Sequence, residues 1–451
     1  MLKPRTFYSF ALYLLLPYIF IHLAWRGRKQ PEYLHHIGER FGRYSQKPDD
    51  DKPLIWLHAV SVGETRATQS LVTQLRASYP DHRILLTHTT PTGRDASEQL
   101  YGDDVMRVYL PYDYPFAVRR FLNQFRPQLG ILMETEIWVN LIHACRNNNI
   151  PLLLLNARMS EKSAKGYACF EKLTRPTLAA LSAVAAQTDD DAARLIQLGA
   201  DNVSVMGNLK FDIEPPAAML TLGSQLREQF GNPRKVFLAA STRDGEETLL
   251  LDALQPTQES NHHAVRGEPV EPPIATSNPF DKLRANGNLL VVIVPRHPQR
   301  FDEVANLLDQ RNIKFQRRSA DQPIVTDTAV VLGDSMGEMF AYYAAADLAF
   351  IGGSLLPFGG QNLIESCAVG TPVLIGPHTY NFTEATRLAT QSGAAIQIQN
   401  AAQLITEAQR LLADTASLDE MRKQCLNFVS LNHGATDKAL HIITQNTINR
   451  I

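Results

Sequence analysis

Short apolar runs alternate with longer segments of helical periodicity through most of the chain beyond about residue 50. Seven runs come first: PLIWLHA, RILLTHT, MRVYLP, LGILME, PLLLLNA, AVAAQT and VSVMGN. Five more follow: KVFLAAS, LLVVIVP, AVVLGD, LAFIGGS and PVLIGP. Continuous apolar runs that alternate with amphipathic helices are typical of parallel strands in βαβ units. The pattern therefore predicts an α/β fold with two doubly wound, Rossmann-like domains that face each other across a cleft.

The N-terminal segment has a different pattern. No Asp, Glu, Lys or Arg occurs from Thr6 to Trp25, and a helix of this length can cross a hydrocarbon core of about 30 Å. An aromatic residue ends the stretch and the basic sequence RGRK follows, as is common at a membrane interface. The segment predicts a membrane-anchor helix within residues 1–30. A buried or interfacial helix, interrupted by Pro17, is the alternative.

Turn signals and composition place the domain boundaries. The paired prolines of FDIEPPAAML separate the two series of strands. The predicted organisation is an acceptor-binding α/β domain at 31–212, a linker at 213–232, a second α/β domain at 233–430 and a C-terminal helix at 431–451. Residues 255–288 are rich in Pro, Asn, Ser and charge without periodicity, which predicts an inserted surface loop or a disordered segment.

Charge and cysteine content exclude several classes of protein. The chain is 44% hydrophobic and 20% charged, with a formal net charge of −2, so it is globular and lacks the basic excess of a nucleic-acid-binding protein. Its four cysteines are far apart and lack CxxC spacing. This argues against a zinc site or a disulfide framework and fits a reducing compartment.

A carboxylate follows the first predicted strand in the stretch HAVSVGET. Gly63 permits a sharp turn, and Glu64 would then lie in the first turn of a helix, where the helix dipole favours its ionised form. One interpretation is ordinary stabilisation of a helix start. The other is a general base that accepts a proton from an acceptor hydroxyl.

A second acidic group ends the run LGILMETEIW. If the strand continued, Glu134 and Glu136 would point to one face together with Trp138. Two close carboxylates need a partner, and Arg158 in the following NARMS stretch is a candidate. A structural salt-bridge cluster and a set of sugar-binding groups are both open interpretations.

The stretch IGGSLLPFGGQNLIESCAVGTPVLIGP, residues 351–377, carries a more specific signal. Its glycine pairs permit close approach of a ligand to the backbone, and a helix start attracts phosphate. Glu365 would accept hydrogen bonds from ribose hydroxyls. Basic residues elsewhere also follow strands or the predicted linker, as in VIVPRHP (Arg296 and His297) and GNLKFD (Lys210), and LGDSMGEMF places 335–338 at a strand-to-helix junction.

Taken in order, these motifs resemble the 3-deoxy-D-manno-octulosonic acid (Kdo) transferases of lipid A assembly. The resemblance covers nearly the whole chain except the insertion and rests on RGRK, GERFG, HAVSVGET, LPYDYP, METEIW, NARMS, GNLKFD, VPRHP, GDSMGEM, ADLAFIGGS and GPHTYNF. It implies a GT-B fold and inverting transfer of Kdo from CMP-Kdo to a lipid A precursor. It also implies attachment to the cytoplasmic face of the inner membrane and contact with its lipid, with no nucleic-acid partner and no cofactor.

The resemblance also implies residue roles. Glu64 would be the base, and Glu134 and Lys210 would stabilise the transition state. The implied CMP contacts are Pro295, Arg296, Met336, Gly337, Glu338, Asn362, Leu363, Ile364 and Glu365. No metal is expected, because cationic side chains can neutralise the departing phosphate. The alternative is a metal site at the acidic runs 103–104 or 189–191.

Two departures and two rival functions remain. Val139 stands where the family usually has Pro, and Gln361 stands where His often precedes Asn. Gln361 cannot titrate near neutrality, which puts any acid role there in doubt. The rivals are a related enzyme for another nucleotide sugar, including an epimerase, and a catalytically silent membrane scaffold. The basic segment 26–43 would meet acceptor phosphates or be a solvated juxtamembrane helix.

Overall fold

The structure is a computed structural model that describes residues 3–47, 52–254 and 289–448. The predicted insertion at 255–288 lies outside the described residues. The chain divides into two compact units. The first unit comprises Met1–Asp212 and Asn432–Ile451, and the second comprises Ile213–Leu431.

The first unit contains a seven-stranded parallel sheet. Its strands are β1 (Leu54–His58), β2 (Arg83–His88), β3 (Met106–Tyr109), β4 (Leu129–Met133), β5 (Leu152–Ala157), β6 (Ala183–Ala186) and β7 (Val203–Val205). Their order is β3-β2-β1-β4-β5-β6-β7. The chain thus runs from β1 to one edge and returns through β4 to the other. The switch point of this doubly wound sheet lies between β1 and β4, and such points are where ligands bind.

Helices precede and connect these strands. They are α1 (Pro4–Leu14), α2 (Leu16–Lys29), α3 (Val62–Ala67), α4 (Gln69–Ser78), α5 (Pro91–Tyr101), α6 (Pro115–Phe125), α7 (Val139–Asn147), α8 (Glu161–Ala168), α9 (Glu171–Leu178) and α10 (Asp189–Leu198). Short 3-10 turns occur at Pro31–Leu34, Glu39–Phe41, Gly102–Asp104 and Leu209–Phe211. The side chains of β1 alternate between two buried apolar clusters, Leu54 and Trp56 in one and Ile55 and Leu57 in the other. Burial on both faces explains why this strand reads as one continuous apolar run.

The second unit repeats the architecture. Its strands are β8 (Lys235–Thr242), β9 (Leu289–Pro295), β10 (Phe315–Arg317), β11 (Val330–Leu332), β12 (Leu348–Ile351), β13 (Val373–Ile375) and β14 (Ala395–Gln397). They form a parallel sheet in the order β10-β11-β9-β8-β12-β13-β14, so its switch point lies between β8 and β12. The twelve predicted strands are confirmed. The sequence pattern missed β10 and β14, because each is a three-residue edge strand that includes polar residues.

The helices of the second unit include one that the sequence did not predict. They are α11 (Ala217–Phe230), α12 (Glu246–Leu254), α13 (Phe301–Gln310), α14 (Met339–Ala345), α15 (Ile364–Ala368), α16 (Thr383–Gln391), α17 (Ala401–Ala413) and α18 (Thr415–Asn432), with 3-10 turns at Pro298–Arg300 and Arg318–Ala320. The predicted linker at 213–232 is therefore mostly helical. Helix α11 packs closely on α14: a Cβ on Gly223 would lie 2.7 Å from the Cβ of Ala344.

The C-terminal helix, α19 (Ala435–Ile448), belongs to the first unit. The buried carboxylate of Asp212 accepts hydrogen bonds from the backbone N–H groups of Gly434, at 2.7 Å, and Thr436. Ala435, Ala439 and Ile443 join the apolar cluster that contains Ile55 and Leu57. One carboxylate at the end of the first segment thus anchors the start of the returning helix.

The N-terminal segment forms two helices instead of the single predicted one. Helices α1 and α2 meet at Leu15 with a bend of 48°. Pro17 lies in the first turn of α2, where its missing N–H costs nothing, so the helix restarts there. Among the described residues, no single helix has the length and apolar character of a membrane span, although this bent pair has both when taken together. Membrane attachment stays a prediction.

Candidate active site

The carboxylate of Glu64 is held at the start of α3. Ser61 is the N-cap of this helix, and its hydroxyl donates to Glu64 Oε1 at 2.9 Å. The backbone N–H of Val60 donates to Glu64 Oε2 at 2.8 Å. These contacts resemble a capping box, so the helix-start interpretation is correct as a description of its local bonding. It does not exclude chemistry, because the side chain is only partly buried and lies beside the switch point.

Glu134 and Lys210 form an ion pair near this carboxylate. Strand β4 ends at Met133, and Glu134 takes a left-handed backbone conformation with φ of 57°. The strand does not continue, so the predicted shared face of Glu134 and Glu136 is wrong. Lys210 Nζ lies 3.3 Å from Glu134 Oε1, with each side chain 22% exposed. Lys210, and not the exposed Arg158, is the partner of Glu134.

Two asparagine side chains position Lys210. It lies in the 3-10 turn Leu209–Phe211 after β7, and the side chain of Asn208 accepts a hydrogen bond from its backbone N–H at 3.0 Å. Asn156, another residue with left-handed backbone, accepts from the N–H of Leu209 at 3.2 Å. Asn156 is 1% exposed. Left-handed non-glycine residues are uncommon and cluster at functional sites, and here two of them place the ion pair.

A layer of buried imidazoles lies beneath the carboxylates. The His58 Nδ1–H donates to the carbonyl of Thr87 at 2.9 Å, since a carbonyl oxygen can only accept. Its Nε2 points toward Glu136 Oε2 at 3.8 Å, and Trp138 Nε1 donates to the same oxygen at 2.7 Å. Burial lowers the pKa of the neighbouring His88 to about 3, so that ring is neutral. Glu136 thus has its own partners, separate from the Glu134–Lys210 pair.

The pKa of Glu64 is shifted in the direction that suits a base. Burial is the main cause of its rise above the ordinary value, and the charge of Glu134 adds to it. The N–H of Val60, the hydroxyl of Ser61 and the nearby His58 oppose the rise. A carboxylate whose pKa is raised takes a proton more readily than an exposed one. The arrangement can therefore accept a proton from a hydroxyl.

The second unit gathers basic side chains at its strand ends. Arg296 directly follows β9, and its Nε donates to the side-chain oxygen of Gln361 at 3.2 Å. Arg243 directly follows β8, and its Nη1 donates to His297 Nε2 at 3.1 Å. The guanidinium of Arg243 also lies over the ring of Phe358, 4.7 Å from its centre. This end of the second sheet can bind an anion.

The other predicted nucleotide contacts differ in how much of each residue is exposed. Pro295 ends β9, Met336 is 58% exposed and Gly337 has φ of 82°. Glu338 accepts from the Ser335 hydroxyl at 2.6 Å, and Arg318 lies 3.5 Å from the same carboxylate. Asn362 donates to Glu365 at 3.0 Å. Leu363 and Ile364 are 0% exposed, so their side chains are not available to a ligand.

The acidic runs have structural partners. Asp104 pairs with Arg76 at 3.0 Å, and Asp191 accepts from the N–H of Met159 at 2.7 Å at the start of α10. Within the described ranges, no group of three or more His, Cys, Asp or Glu side chains is placed to hold a metal ion.

Sequence reasoning missed His58, Asn156 and Arg243. Each lies in or directly after a predicted strand, in HAVSVGET, NARMS and AASTRDGE. The signal for Arg243 was its placement after a strand, the same signal that identified Arg296. Nothing in the sequence indicated that Asn156 adopts a left-handed conformation and supports Lys210.

The fold defines the class of protein: the chain has two doubly wound parallel sheets, and charged side chains lie at the switch point of each. A glycosyltransferase from Rickettsia africae has a similar structure, with a TM-score of 0.54, 14% identity and coverage of 88% of this chain and 99% of that one. At this identity the likeness shows the fold alone, and the fold is that of the GT-B glycosyltransferases.

The sequence comparisons are more specific. A family model described as 3-deoxy-D-manno-octulosonic-acid transferase matches residues 35–213. The 3-deoxy-D-manno-octulosonic acid transferase of Bordetella pertussis is 40% identical, covering 97% of this chain and 98% of the relative. The Haemophilus influenzae enzyme of that name is 34% identical with the same coverage. The chain belongs to the Kdo transferase family of glycosyltransferases.

Proposed function

We propose that this protein transfers a Kdo residue from CMP-Kdo to a lipid A precursor in lipopolysaccharide biosynthesis, with inversion at the anomeric carbon. One observation carries the proposal. Glu64, Glu134 and Lys210, which the family resemblance assigns to catalysis, come from three separate segments and meet beside the switch point of the first sheet. Relatives named for this activity match almost the whole chain, which supports the same substrates here.

The proposed chemistry is a single displacement. The carboxylate of Glu64 accepts the proton of an acceptor hydroxyl, whose oxygen forms a bond to the anomeric carbon of Kdo. The bond from that carbon to the phosphate oxygen breaks, and CMP leaves with the electron pair. The ammonium group of Lys210, held in place by Glu134, supplies a fixed positive charge that stabilises developing negative charge without reorganising.

The donor site is proposed in the second unit. Arg296 would bind the phosphate of CMP-Kdo, and the segment 362–365 would bind the cytidine ribose. We propose that the reaction needs no metal ion, because the guanidinium group of Arg296 neutralises the leaving phosphate. Addition of EDTA should leave the rate unchanged. A loss of activity that a divalent metal restores would contradict this part of the proposal.

The reaction itself is tested with purified protein, CMP-Kdo and a tetraacyl lipid A precursor. Mass spectrometry should detect a product heavier than the acceptor by one or more Kdo residues. Parallel reactions with UDP-sugars should yield no product. Transfer from a UDP-sugar, or donor binding without transfer, would favour the related nucleotide-sugar enzyme or the silent scaffold.

We further propose that α1 and α2 attach the protein to the cytoplasmic face of the inner membrane. The α1 helix is tied to the first unit by Tyr8, which donates to Asp113 at 3.0 Å, and by Tyr114, which donates to the carbonyl of Leu12 at 2.9 Å. Several large apolar side chains of the pair remain exposed: Phe7 67%, Phe10 59%, Leu14 67%, Tyr18 62%, Ile21 68% and Trp25 53%. Several large exposed apolar side chains on one helix pair are typical of a membrane-binding site.

Sedimentation with anionic phospholipid vesicles tests the attachment. Replacing Phe7, Phe10 and Leu14 by Ser should abolish co-sedimentation, because it removes apolar area that would enter the bilayer. Leu431→Ser is a matched control, since this side chain is 83% exposed on α18. Equal binding by the triple variant and the control would contradict membrane attachment through this surface.

A further inference from the structure

Arg243 is a cation that none of the roles described above uses. It lies at the carboxyl end of β8, which borders the switch point of the second sheet. Arg300, nearby, is neutralised by two hydrogen bonds to the buried carboxylate of Glu247, at 2.8 and 3.0 Å. Arg243 makes no ion pair with a carboxylate among the described residues. Its positive charge is therefore available to a ligand.

The guanidinium of Arg243 is held in one orientation. One of its faces lies over Phe358. Its aliphatic stem passes Gly353, where a Cβ would lie 3.4 Å from Arg243 Cγ, and the φ of 68° also favours glycine there. A guanidinium fixed by an aromatic face and a close backbone loses little entropy when it binds an anion.

His297 orients Arg243 without adding a charge. Burial is the main cause that lowers the pKa of His297, and Arg243, Arg296 and Arg300 lower it further. The neutral ring accepts the Arg243 Nη1–H at Nε2, because a guanidinium can only donate. One Nη1–H is thus occupied by this contact, whereas Nε and Nη2 have no hydrogen-bond partner among the described residues.

A donor of the proposed type carries two anionic groups, a phosphodiester and a carboxylate on the anomeric carbon of the sugar. Arg296 contacts Gln361, which directly precedes the segment proposed to bind the ribose, so Arg296 lies on the nucleotide side. Gly353 separates this contact from Arg243, because its Cβ position lies near both Gln361 and Arg243. Arg243 is therefore a second cation beside Arg296, and it can bind the second anion of the donor, its carboxylate.

We propose that Arg243 binds the carboxylate of the donor sugar and so selects a nucleotide-linked sugar acid over a nucleotide carrying a neutral sugar. The planar guanidinium matches a carboxylate through two parallel hydrogen bonds. The inference rests on the proposed function. It adds the residue that distinguishes the Kdo part of the donor from the CMP part.

Equilibrium binding of two ligands tests this role. CMP-Kdo carries both anions, whereas the methyl ester of CMP carries the same phosphodiester charge and no carboxylate. Arg243→Gln should weaken binding of CMP-Kdo by about 10- to 100-fold. Binding of the methyl ester should change by less than about twofold, because the phosphate contacts are intact. Arg243→Lys, which keeps the charge but not the planar fork, should recover part of the loss.

Other outcomes separate the alternatives. An equal loss for both ligands would make Arg243 a phosphate ligand, and no loss for either would leave it only packing on Phe358; both results would overturn the inference. Arg410→Gln is the charge-matched control, because this side chain is 51% exposed and pairs with Glu407; it should bind both ligands normally. If the unaltered protein bound neither ligand, the proposed function would be overturned, and the role of Arg243 with it.

Discussion

The first strand of each unit is followed by a short loop and then a helix, with a Gly-Glu pair at the start of that helix. In the first unit it is SVGET with Glu64, and in the second it is RDGEE with Glu246. Both carboxylates bond to the backbone of their own loop: Val60 N–H donates to Glu64 at 2.8 Å, and Arg243 N–H donates to Glu246 at 2.9 Å. Burial raises the pKa of both. Their sequence context and their bonding to the local backbone are similar.

Their longer-range surroundings differ. Glu246 is 0% exposed and also accepts the backbone N–H groups of Gly353, at 2.6 Å, and Leu355, at 2.9 Å. It therefore holds the glycine-rich turn after β12 in place. Glu64 has no such distant backbone donors among the described residues and is partly exposed beside an ion pair. The same motif thus serves as a fold support in one unit and as a candidate base in the other.

Glu64→Gln gives the largest expected effect. Gln cannot take up the proton of a hydroxyl, so turnover should fall about a thousandfold. Binding of CMP-Kdo should be unchanged, because the proposed donor contacts lie in the second unit. Initial rates and donor titration measure the two properties separately.

A matched control for this variant is Glu161→Gln, which removes an exposed carboxylate that pairs with Lys165 on α8. It should retain normal turnover. If Glu64→Gln turned over near the normal rate, Glu64 would share the purely structural role of Glu246, and the contrast between the two units would disappear.

Glu246→Ala should lower the stability of the fold. It leaves the N–H groups of Arg243, Gly353 and Leu355 without this acceptor. Unsatisfied buried donors cost about 1 to 3 kcal/mol each, so the free energy of unfolding should fall by roughly 3 kcal/mol or more. Denaturant unfolding measures this loss. A normal unfolding midpoint in Glu246→Ala would show that the turn does not depend on it.

Lys210→Met should lower turnover by about a hundredfold, because it removes the positive charge that balances Glu134. Lys210→Arg keeps that charge and should lose less. Turnover and donor affinity should be measured for both variants. A weaker donor affinity with unchanged turnover would show that Lys210 binds the donor and does not stabilise the transition state.

The sequence was sufficient for the general fold and for most strands, because continuous apolar runs such as PLIWLHA are rarely anything but buried strands. The sequence was insufficient where the structure depends on the backbone conformation of single residues or on contacts between distant segments. The break at Leu15, the left-handed Glu134 and the helix α11 all follow from local backbone or packing details. The pairing of Glu134 with Lys210 was also beyond it, because 76 residues separate the two in the chain.

The smallest expected effect is a shift in pH dependence, and its sign tests the electrostatics of Glu64. The base must be ionised, so the rate falls as the pH drops through the pKa of Glu64, and the acid limb of kcat/KM should lie above the ordinary pKa of 4.5. Glu134→Gln removes a like charge and should move this limb to lower pH. Ser61→Ala removes a hydrogen bond that favours the ionised form and should move it to higher pH, each by less than about one unit. Shifts of the same sign in both variants, or an acid limb that Glu64→Gln leaves in place, would mean that another group titrates.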